Sequence, residues 1–300
     1  MSPINISTST AISWWRPAAW LRVEGADAAA FLQGQFTNDL RGLAAGGAVY
    51  GLWLNVKGKV VADSFVLRRS AAEGDVFWIG SYFSAASTIQ ARLESYVIAD
   101  DVTIADATDE RAAVTIFGLD AEAASAIAAA EGFVFSGRRG REPSIEWVFP
   151  LSHEPAMREK FSGARELDPV EIARRRIGAR IPAVPADIGP GDLPNEGALE
   201  ADAISYTKGC YLGQEVMARL KSMGQVRRRL LRVRSSVAPA ALPAPLFVGE
   251  KQGGELRSLI ADGAGGFVGL ALVSLLAIAS ATTLALAPGG DATVQLLDAP

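Results

Sequence analysis

Residues 204–220 read ISYTKGCYLGQEVMARL and include Cys210, the only cysteine in the 300-residue chain. Gly213 is placed to cap a helix that continues through the apolar residues after it. Cys210 would then lie about one turn before a helix N-terminus, where the partial positive charge and the nearby Lys208 and Arg219 lower a thiol pKa. Unpaired cysteines are also among the residues most often buried. The segment therefore leaves two interpretations open, a reactive thiol and a structural one.

The composition is that of a globular protein with a large apolar core. Hydrophobic residues make up 49% of the chain, charged residues 21%, and the formal net charge is −4. A chain of this length divides into roughly two or three domains. One cysteine forms no intramolecular disulfide and cannot by itself hold a metal cluster that needs four ligands, so we expect a reducing, cytoplasmic location. The N-terminal segment lacks the basic start and apolar stretch of a signal peptide.

Residues 267–287 form the one stretch long enough to suggest a membrane helix. The sequence FVGLALVSLLAIASATTLALA contains no charged residue, and a helix of this length could cross a bilayer. Glycine, serine and threonine interrupt the run, and no lysine or arginine anchors either end. We therefore predict two buried strands around a short turn or helix, and no membrane partner.

The N-terminal half alternates strand and helix patterns. A helix is expected after Asp27, followed by a hairpin with Lys57 and Gly58 near its turn. Apolar residues four positions apart predict a helix over 84–97. Further strands follow, together with an alanine-rich helix at 120–131. This order predicts an α+β fold with helices on one face of a mostly antiparallel sheet.

The pattern changes in the C-terminal half. Aspartate followed by proline opens a predicted helix over 168–178. Prolines and glycines then fill residues 181–195, which predicts an ordered loop or a linker. Short apolar strands separated by proline- and glycine-rich turns follow and predict a small β-barrel. We therefore divide the chain into an α+β region, residues 1–226, and a barrel domain, residues 227–300.

Two segments are strongly basic. Residues 219–234 carry seven basic side chains and no acidic one, and residues 173–180 carry a second run of arginines. The first segment is typical of a barrel strand with a solvated face, and also of an anion site for a polyglutamate tail, a phosphate or RNA. The single histidine, His153, is interpreted as a surface residue rather than a catalyst, and no metal site is predicted.

The string KGCYLGQE at 208–215 is the most specific motif of the chain. It is preceded by LPNEGALEADAISYT at 193–207, and FLQGQFTNDL lies far upstream at 31–40. Together these strings resemble the YgfZ family of folate-binding proteins, relatives of the glycine cleavage T-protein and of mitochondrial iron–sulfur assembly factors. The resemblance runs from about Leu21 to Arg229. It implies a T-protein-like three-lobed ring with a central folate site and a small C-terminal β-barrel.

The resemblance also implies which residues act. The chemistry is assigned to Cys210, as the functional thiol, and to Lys208. The other signature residues are Gly209, Tyr211, Gly213, Gln214 and Glu215. Tetrahydrofolate is the implied cofactor, and the residues assigned to its binding are Asn55, Lys57, Asp63, Glu196 and Arg219.

The chain departs from the family pattern at two places that concern folate. The family string R-I-E-A-G-I-P reads RIGARIP here, so Gly178 stands where the glutamate of the T-protein relatives recognises the pterin. The twin aspartates that the T-protein has near its folate appear as Ala62 and Asp63. We therefore expect weaker folate binding than in relatives that keep the glutamate, with Glu196 or Asp63 as the carboxylate that faces the pterin.

The expected site is a central cavity lined by residues 55–63 and the region of Glu196. A flat heteroaromatic ring needs an apolar slot, which Trp53, Phe65 or Tyr82 could supply, and a carboxylate that accepts its N–H groups. A basic mouth would receive the glutamate tail.

Three functional hypotheses follow. The first is a folate-binding accessory protein for assembly or repair of iron–sulfur enzymes, which uses one thiol and has iron–sulfur client or assembly proteins as partners. Whether iron, sulfur or a one-carbon unit is handled stays open. The second is a T-protein-like aminomethyltransferase that uses tetrahydrofolate. The third is a binding module whose basic segment docks RNA or a partner protein.

Overall fold

The computed structural model describes residues 10–71, 74–119, 132–224, 226–279 and 281–298. The alanine-rich helix predicted between the second and third of these ranges lies outside the described residues. Among the residues described, no helix combines the length and apolar character needed to cross a membrane.

The helices and strands follow the chain in three groups. Up to residue 119 they are β1 (Ala11–Trp15), β2 (Ala19–Glu24), α1 (Ala28–Gln35), β3 (Ala48–Leu54), β4 (Val60–Ala71), β5 (Gly74–Ser81), α2 (Ala86–Glu94), β6 (Thr103–Asp106) and β7 (Arg111–Phe117). Between residues 132 and 224 they are β8 (Phe133–Ser136), β9 (Ser144–Pro150), α3 (Glu154–Lys160), β10 (Arg165–Glu166), α4 (Pro169–Gly178) and α5 (Gln214–Met223). The last group is β11 (Arg228–Ser235), β12 (Ala244–Val248), β13 (Lys251–Ala261), β14 (Phe267–Ser274), β15 (Thr283–Leu284) and β16 (Val294–Leu296).

The described strands form three sheets. The N-terminal sheet has the order β3-β4-β5-β2-β6 and is antiparallel throughout. The middle sheet has the order β10-β1-β7-β9-β8 and contains one parallel pair, β1 with β10. The barrel sheet has the order β12-β13-β14-β11-β16-β15. The predicted α+β fold is confirmed.

The N-terminal sheet is buried on both faces. Helices α1 and α2 cover one face, where Leu32 and Ile89 join the apolar cluster of the sheet. On the other face, the Trp20 ring lies 5.1 Å from that of Phe133 in the middle sheet, centre to centre. The α1 and α2 residues that enter the core are those with helical spacing, while the strands bury alternate residues on each side. The helices therefore lie on one face of this sheet, as the sequence predicts.

The predicted hairpin is β3 and β4, and its tip packs on α5. The Asn55 Oδ1 atom accepts the backbone N–H groups of Lys57 and Lys59 at 2.9 and 3.1 Å, which fixes the turn. Gly58 has φ +68°, and a Cβ atom there would lie 2.8 Å from the Val216 Cβ. A glycine is needed at this position because any side chain would separate the hairpin tip from the helix.

The barrel sheet closes between its first and last strands. The backbone N–H groups of Phe247 and Ala285 each donate to the other residue's carbonyl at 2.9 Å. The apolar run 267–287 lies in this sheet, where β14 and β15 flank a turn, as predicted. Leu270 and Leu272 of β14 face the central core, and the alternate residues face the core of the barrel. The strand is free of charge because both of its faces are buried.

Helix α4 begins as the sequence predicts. The Asp168 side chain accepts the Glu171 N–H at 2.7 Å and completes a capping box. The following loop, which contains residues 181–195, is ordered by a buried ion pair of Asp187 with Arg176 and by a second pair between the buried Asp192 and the partly exposed Arg228. All six strands of the barrel sheet follow residue 227, and we keep the division of the chain at 226/227 as a proposal.

Candidate functional site

A cavity of about 270 Å³ lies where the N-terminal and middle sheets meet helix α4. Strand β1 of the middle sheet, strands β3 and β4 of the N-terminal sheet, and α4 each contribute part of its wall. The residues that line it are Ser13, Trp14, Trp15, Tyr50, Asp63, Tyr82, Phe83, Arg138, Arg139, Pro169, Ile172, Ala173, Arg176, Ile181 and Pro182. The wall is mostly apolar and aromatic, with a few polar groups, as in small-molecule sites.

Asp63 is the carboxylate of this cavity. It is 4% exposed and accepts hydrogen bonds from Tyr50 at 2.9 Å, Ser84 at 2.7 Å and Ser81 at 3.1 Å. Burial raises the pKa of the Asp63 carboxyl, and these three hydroxyl groups oppose the rise. The three hydroxyl donors fix the orientation of the Asp63 side chain, so the direction in which its carboxylate can accept a further hydrogen bond is set by the protein.

Aromatic rings form one side of the cavity. The Trp15 and Tyr82 rings lie 5.0 Å apart, and Tyr82 and Phe83 lie 6.1 Å apart, centre to centre. Tyr82 is therefore one of the predicted slot residues that does line the cavity. Trp53 does not, because it packs under α1 and donates its indole N–H to Ser64 at 3.0 Å. Phe65 is not a lining residue and supports the Tyr82 ring from behind at 5.5 Å.

Two consecutive arginines enter the cavity wall from the turn between β8 and β9. Arg138 donates to Asp202 at 2.8 Å, and its guanidinium carbon lies 4.4 Å from the Tyr50 ring centre. Arg139 donates through Nε to Glu146 at 3.2 Å, and its guanidinium carbon lies 3.6 Å from the Tyr82 ring centre. Both cations therefore lie over aromatic faces of the cavity wall.

Glu146 lies behind the cavity wall and fixes the positions of two lining residues, Tyr82 and Arg139, by accepting their hydrogen bonds. It is 0% exposed and accepts hydrogen bonds from Tyr82 at 2.8 Å and Thr115 at 2.6 Å, besides the one from Arg139. Burial and the Glu146 charge hold the pKa of Tyr82 well above its usual value, so the phenol stays a proton donor to the carboxylate. The residue that orders two walls of the cavity is thus not itself part of its lining.

The KGCYLGQE segment lies outside the cavity lining. Cys210 is exposed, which favours the reactive interpretation of the thiol over the buried, structural one. Tyr211 is buried, and Gly213 caps α5 with φ +86°. A Cβ atom at Gly213 would lie 2.9 Å from the Asn55 carbonyl oxygen, so the signature glycine allows the hairpin tip and the helix start to meet.

Lys208 does not point to solvent beside the thiol. It is 5% exposed, and its Nζ atom donates to the carbonyl oxygens of Gln33 at 2.7 Å, Phe36 at 2.6 Å and Asn38 at 2.9 Å. These carbonyls lie at the C-terminal end of α1, where a cation is favoured. Burial lowers the pKa of Lys208 to about 8. Through these contacts Lys208 clamps the Cys210 segment to α1, and the catalytic role assigned to it from the sequence stays a prediction.

The chain is similar to proteins of known name over most of its length. A family model described as the GCVT N-terminal domain matches residues 17–131. The mitochondrial iron–sulfur cluster assembly factor IBA57 of Homo sapiens is 32% identical over 229 residues, which are 71% of this chain and 63% of that protein. The tRNA-modifying protein YgfZ of Shigella boydii serotype 4 is 30% identical over 229 residues, which are 69% of this chain and 67% of that protein.

The chain belongs to the YgfZ/IBA57 family. Its fold is that of the related T-protein: the aminomethyltransferase T of the glycine cleavage system from Bartonella henselae matches with a TM-score of 0.75 at 18% identity, over 97% of this chain and 86% of that one. Because the relatives named IBA57 are mitochondrial by name, the cytoplasmic location of this YgfZ/IBA57 protein stays a prediction.

In this YgfZ/IBA57 protein Glu196, one of the two carboxylates predicted to face the pterin, lies outside the cavity lining. Its Oε1 atom accepts from Arg228 at 2.8 Å, and its Oε2 atom accepts from Arg228 at 2.9 Å and from the Leu193 N–H at 2.7 Å. The Glu196 side chain thus connects the segment around Leu193 to strand β11. Of the two carboxylates considered for the cavity, Asp63 alone lines it.

The other predicted cofactor residues are also outside the lining. Asn55 holds the hairpin turn, and Lys57 and Arg219 are exposed. Gly178 ends α4, and a Cβ atom built there meets no atom within 4 Å. Two positions later Arg180 has φ 57°, where the family string has glycine, so the backbone keeps the left-handed turn that glycine favours.

Sequence reasoning missed Trp15, Arg138, Arg139 and Glu146. One signal for them is present in the sequence, because Glu146 is a lone acid within the apolar strand SIEWVFP. A charged residue in such a strand is seldom buried unless it is paired. The adjacent GRRGRE turn contains the arginine that pairs with it.

Proposed function

We propose that this protein is a folate-binding accessory factor for the assembly or repair of iron–sulfur enzymes. Relatives are named iron–sulfur cluster assembly factors. The observation that carries the proposal is the separation of two features: an apolar cavity with one buried carboxylate, and an exposed thiol outside that cavity. Ligand binding and thiol chemistry then belong to different places and are separable by mutation.

The residues of the cavity fit a reduced pterin. The Trp15 and Tyr82 rings offer apolar faces for a flat heteroaromatic ring, and Asp63 offers an acceptor for ring N–H groups. Ligand pockets hold about 300–1,000 Å³, whereas this cavity has about 270 Å³. Because the cavity lies just below this range, we propose that it holds only the ring portion of the folate and that the glutamate tail extends outside it.

We expect Asp63→Asn to weaken tetrahydrofolate binding by at least about tenfold, because a hydrogen bond to a charged group is worth about 1.5–3 kcal/mol. The matched control is Asp109→Asn, the same change at an exposed carboxylate outside the cavity lining, which should leave affinity within about twofold. Titration calorimetry of both variants against the wild type measures the effect. Tight binding that is unaffected by Asp63→Asn places the pterin elsewhere.

Restoring the family glutamate tests the departure at position 178. The backbone leaves space for a side chain there, so Gly178→Glu is expected to fold normally. If the added carboxylate reaches the ring, tetrahydrofolate affinity should rise by about tenfold, the value of one charged hydrogen bond. A Gly178→Gln variant, which lacks the charge, is the control and should gain less.

We propose that the exposed Cys210 thiol reacts with iron–sulfur client or assembly proteins, outside the ligand cavity. An exposed cysteine can accept or relay sulfur or ligate iron, but a cluster needs further ligands, which a client or assembly protein would supply. We expect Cys210→Ala to fail in restoring iron–sulfur enzyme activity to a bacterial strain that lacks its own YgfZ, while its folate affinity stays unchanged. Full restoration by Cys210→Ala would remove the thiol from the mechanism.

The other two hypotheses receive less support. The T-protein likeness, at 18% identity, concerns the fold and carries no argument for aminomethyl transfer. Relatives named YgfZ are called tRNA-modifying proteins. In this chain, however, Arg228 and Arg232 of the basic segment are engaged with Glu196 and Asp298. Those two cations are already neutralised, so we do not propose an RNA-docking surface on this segment.

A further inference from the structure

Two buried hydrogen-bond donors in the cavity wall have no acceptor. Within the described part of the chain, the Nη2 atom of Arg139 and the indole Nε1 atom of Trp15 are both buried and unpaired. Both residues line the cavity, and Arg139 is only 7% exposed. An unsatisfied buried donor costs about 1–3 kcal/mol, and more when it is charged, so two such donors in the wall of one cavity call for an acceptor that enters the cavity.

The position of the guanidinium is fixed by its neighbours. Its Nε atom donates to Glu146 at 3.2 Å. Its carbon lies 3.6 Å from the Tyr82 ring centre and 4.6 Å from the Trp15 ring centre. The guanidinium is therefore held by an acid on one edge and by two rings, while its Nη2 atom keeps unused donor capacity.

We propose that Arg139 and Trp15 form the subsite that binds the ring carbonyl oxygen of the pterin. This inference rests on the proposed folate function and adds the orientation of the ring in the cavity. Arg139 and Trp15 offer donors only, whereas the Asp63 carboxylate offers an acceptor, so the two groups of residues distinguish the carbonyl of the ring from its N–H groups. Both nitrogens are shielded from water, and they reach the ligand by a small side-chain movement of the kind common on binding.

A subsite that offers only hydrogen-bond donors should discriminate between two folates that differ in the substituent at ring position 4. Folic acid has a carbonyl at ring position 4, and aminopterin has an amino group there, which donates instead of accepting. A site built to hydrogen-bond one group rejects the analogue that leaves its buried donors unpaired. We expect the wild type to bind folic acid at least about tenfold more tightly than aminopterin.

Trp15→Phe removes the indole N–H and keeps an aromatic ring, so it should reduce this preference without loss of the fold. Arg139→Met should reduce it further, and circular dichroism reports whether that variant is folded. Trp53→Phe is the matched control: Trp53 lies outside the cavity lining, its indole N–H donates to Ser64 at 3.0 Å, and the preference of this variant should equal that of the wild type.

Titration calorimetry of the full chain with folic acid, aminopterin and p-aminobenzoylglutamate decides between the outcomes. A preference for folic acid that falls in Trp15→Phe but not in Trp53→Phe supports the subsite. Equal binding of folic acid and aminopterin to the wild type overturns the subsite and leaves the proposed function standing. Binding of p-aminobenzoylglutamate as tight as that of folic acid overturns it too, because the pterin ring then contributes nothing to the affinity. If neither pterin binds, the proposed folate function fails, and this inference fails with it.

Discussion

Glu146→Leu is expected to lower the free energy of unfolding by about 3–5 kcal/mol, the cost of leaving one partner of a buried ion pair alone. Glu146 is 0% exposed, and its pair with Arg139 is buried on both sides. The substitution also removes the acceptor of the Tyr82 and Thr115 hydroxyl groups. Three buried donors lose their partner at once, and leucine cannot replace any of these contacts.

Urea denaturation measures this loss, with Glu142→Leu as the matched control. Glu142 lies in the same strand–turn region and pairs with Arg175, but its side chain is 70% exposed. An exposed pair is worth about 0–1 kcal/mol, so the control should unfold close to the wild type. Equal, small losses in both variants would mean that the network around Glu146 contributes no more than a surface contact.

Lys208→Met is expected to lower the free energy of unfolding by about 2–3 kcal/mol, because one buried and two partly buried carbonyl groups lose their donor and an unsatisfied group costs about 1 kcal/mol or more. The same change releases the clamp between the Cys210 segment and the end of α1. We therefore also expect faster proteolysis near residue 210. The exposed Lys221, which lies over the Tyr206 ring, supplies the control Lys221→Met, with an expected change below about 0.5 kcal/mol.

The pH dependence of stability gives a second test of the Lys208 clamp. Burial lowers the pKa of Lys208 in the folded state from 10.5 to about 8. Between these two pH values the unfolded chain binds the extra proton, so this residue makes the wild type more stable as pH rises through that window. The difference between wild type and Lys208→Met should grow from pH 8 to pH 10. A difference that is constant with pH would show that the amine does not titrate in the clamp.

Local signals predicted the secondary structure well where they depend on near neighbours. Asp168 followed by proline predicts the start of α4, and Asn55 with Gly58 belongs to a turn that closes on itself through backbone groups two to four residues away. The charge-free run 267–287 correctly predicts buried strands, because glycine, serine and threonine interrupt it. These features depend on capping, turn geometry and burial, which a short stretch of sequence specifies.

The sequence by itself therefore determined the α+β class, the barrel, the hairpin and the helix starts, whereas the exposure of Cys210 is known only from the structure. Only the tertiary structure decided which charged groups meet. Lys208 binds carbonyls 170 to 175 residues away in the chain, Glu196 pairs with Arg228 of the barrel, and Asp63 keeps the cavity. The reason is physical: a buried charge must be hydrogen-bonded or paired with a neighbouring group, and the packing of elements that are distant in sequence decides which group lies beside it.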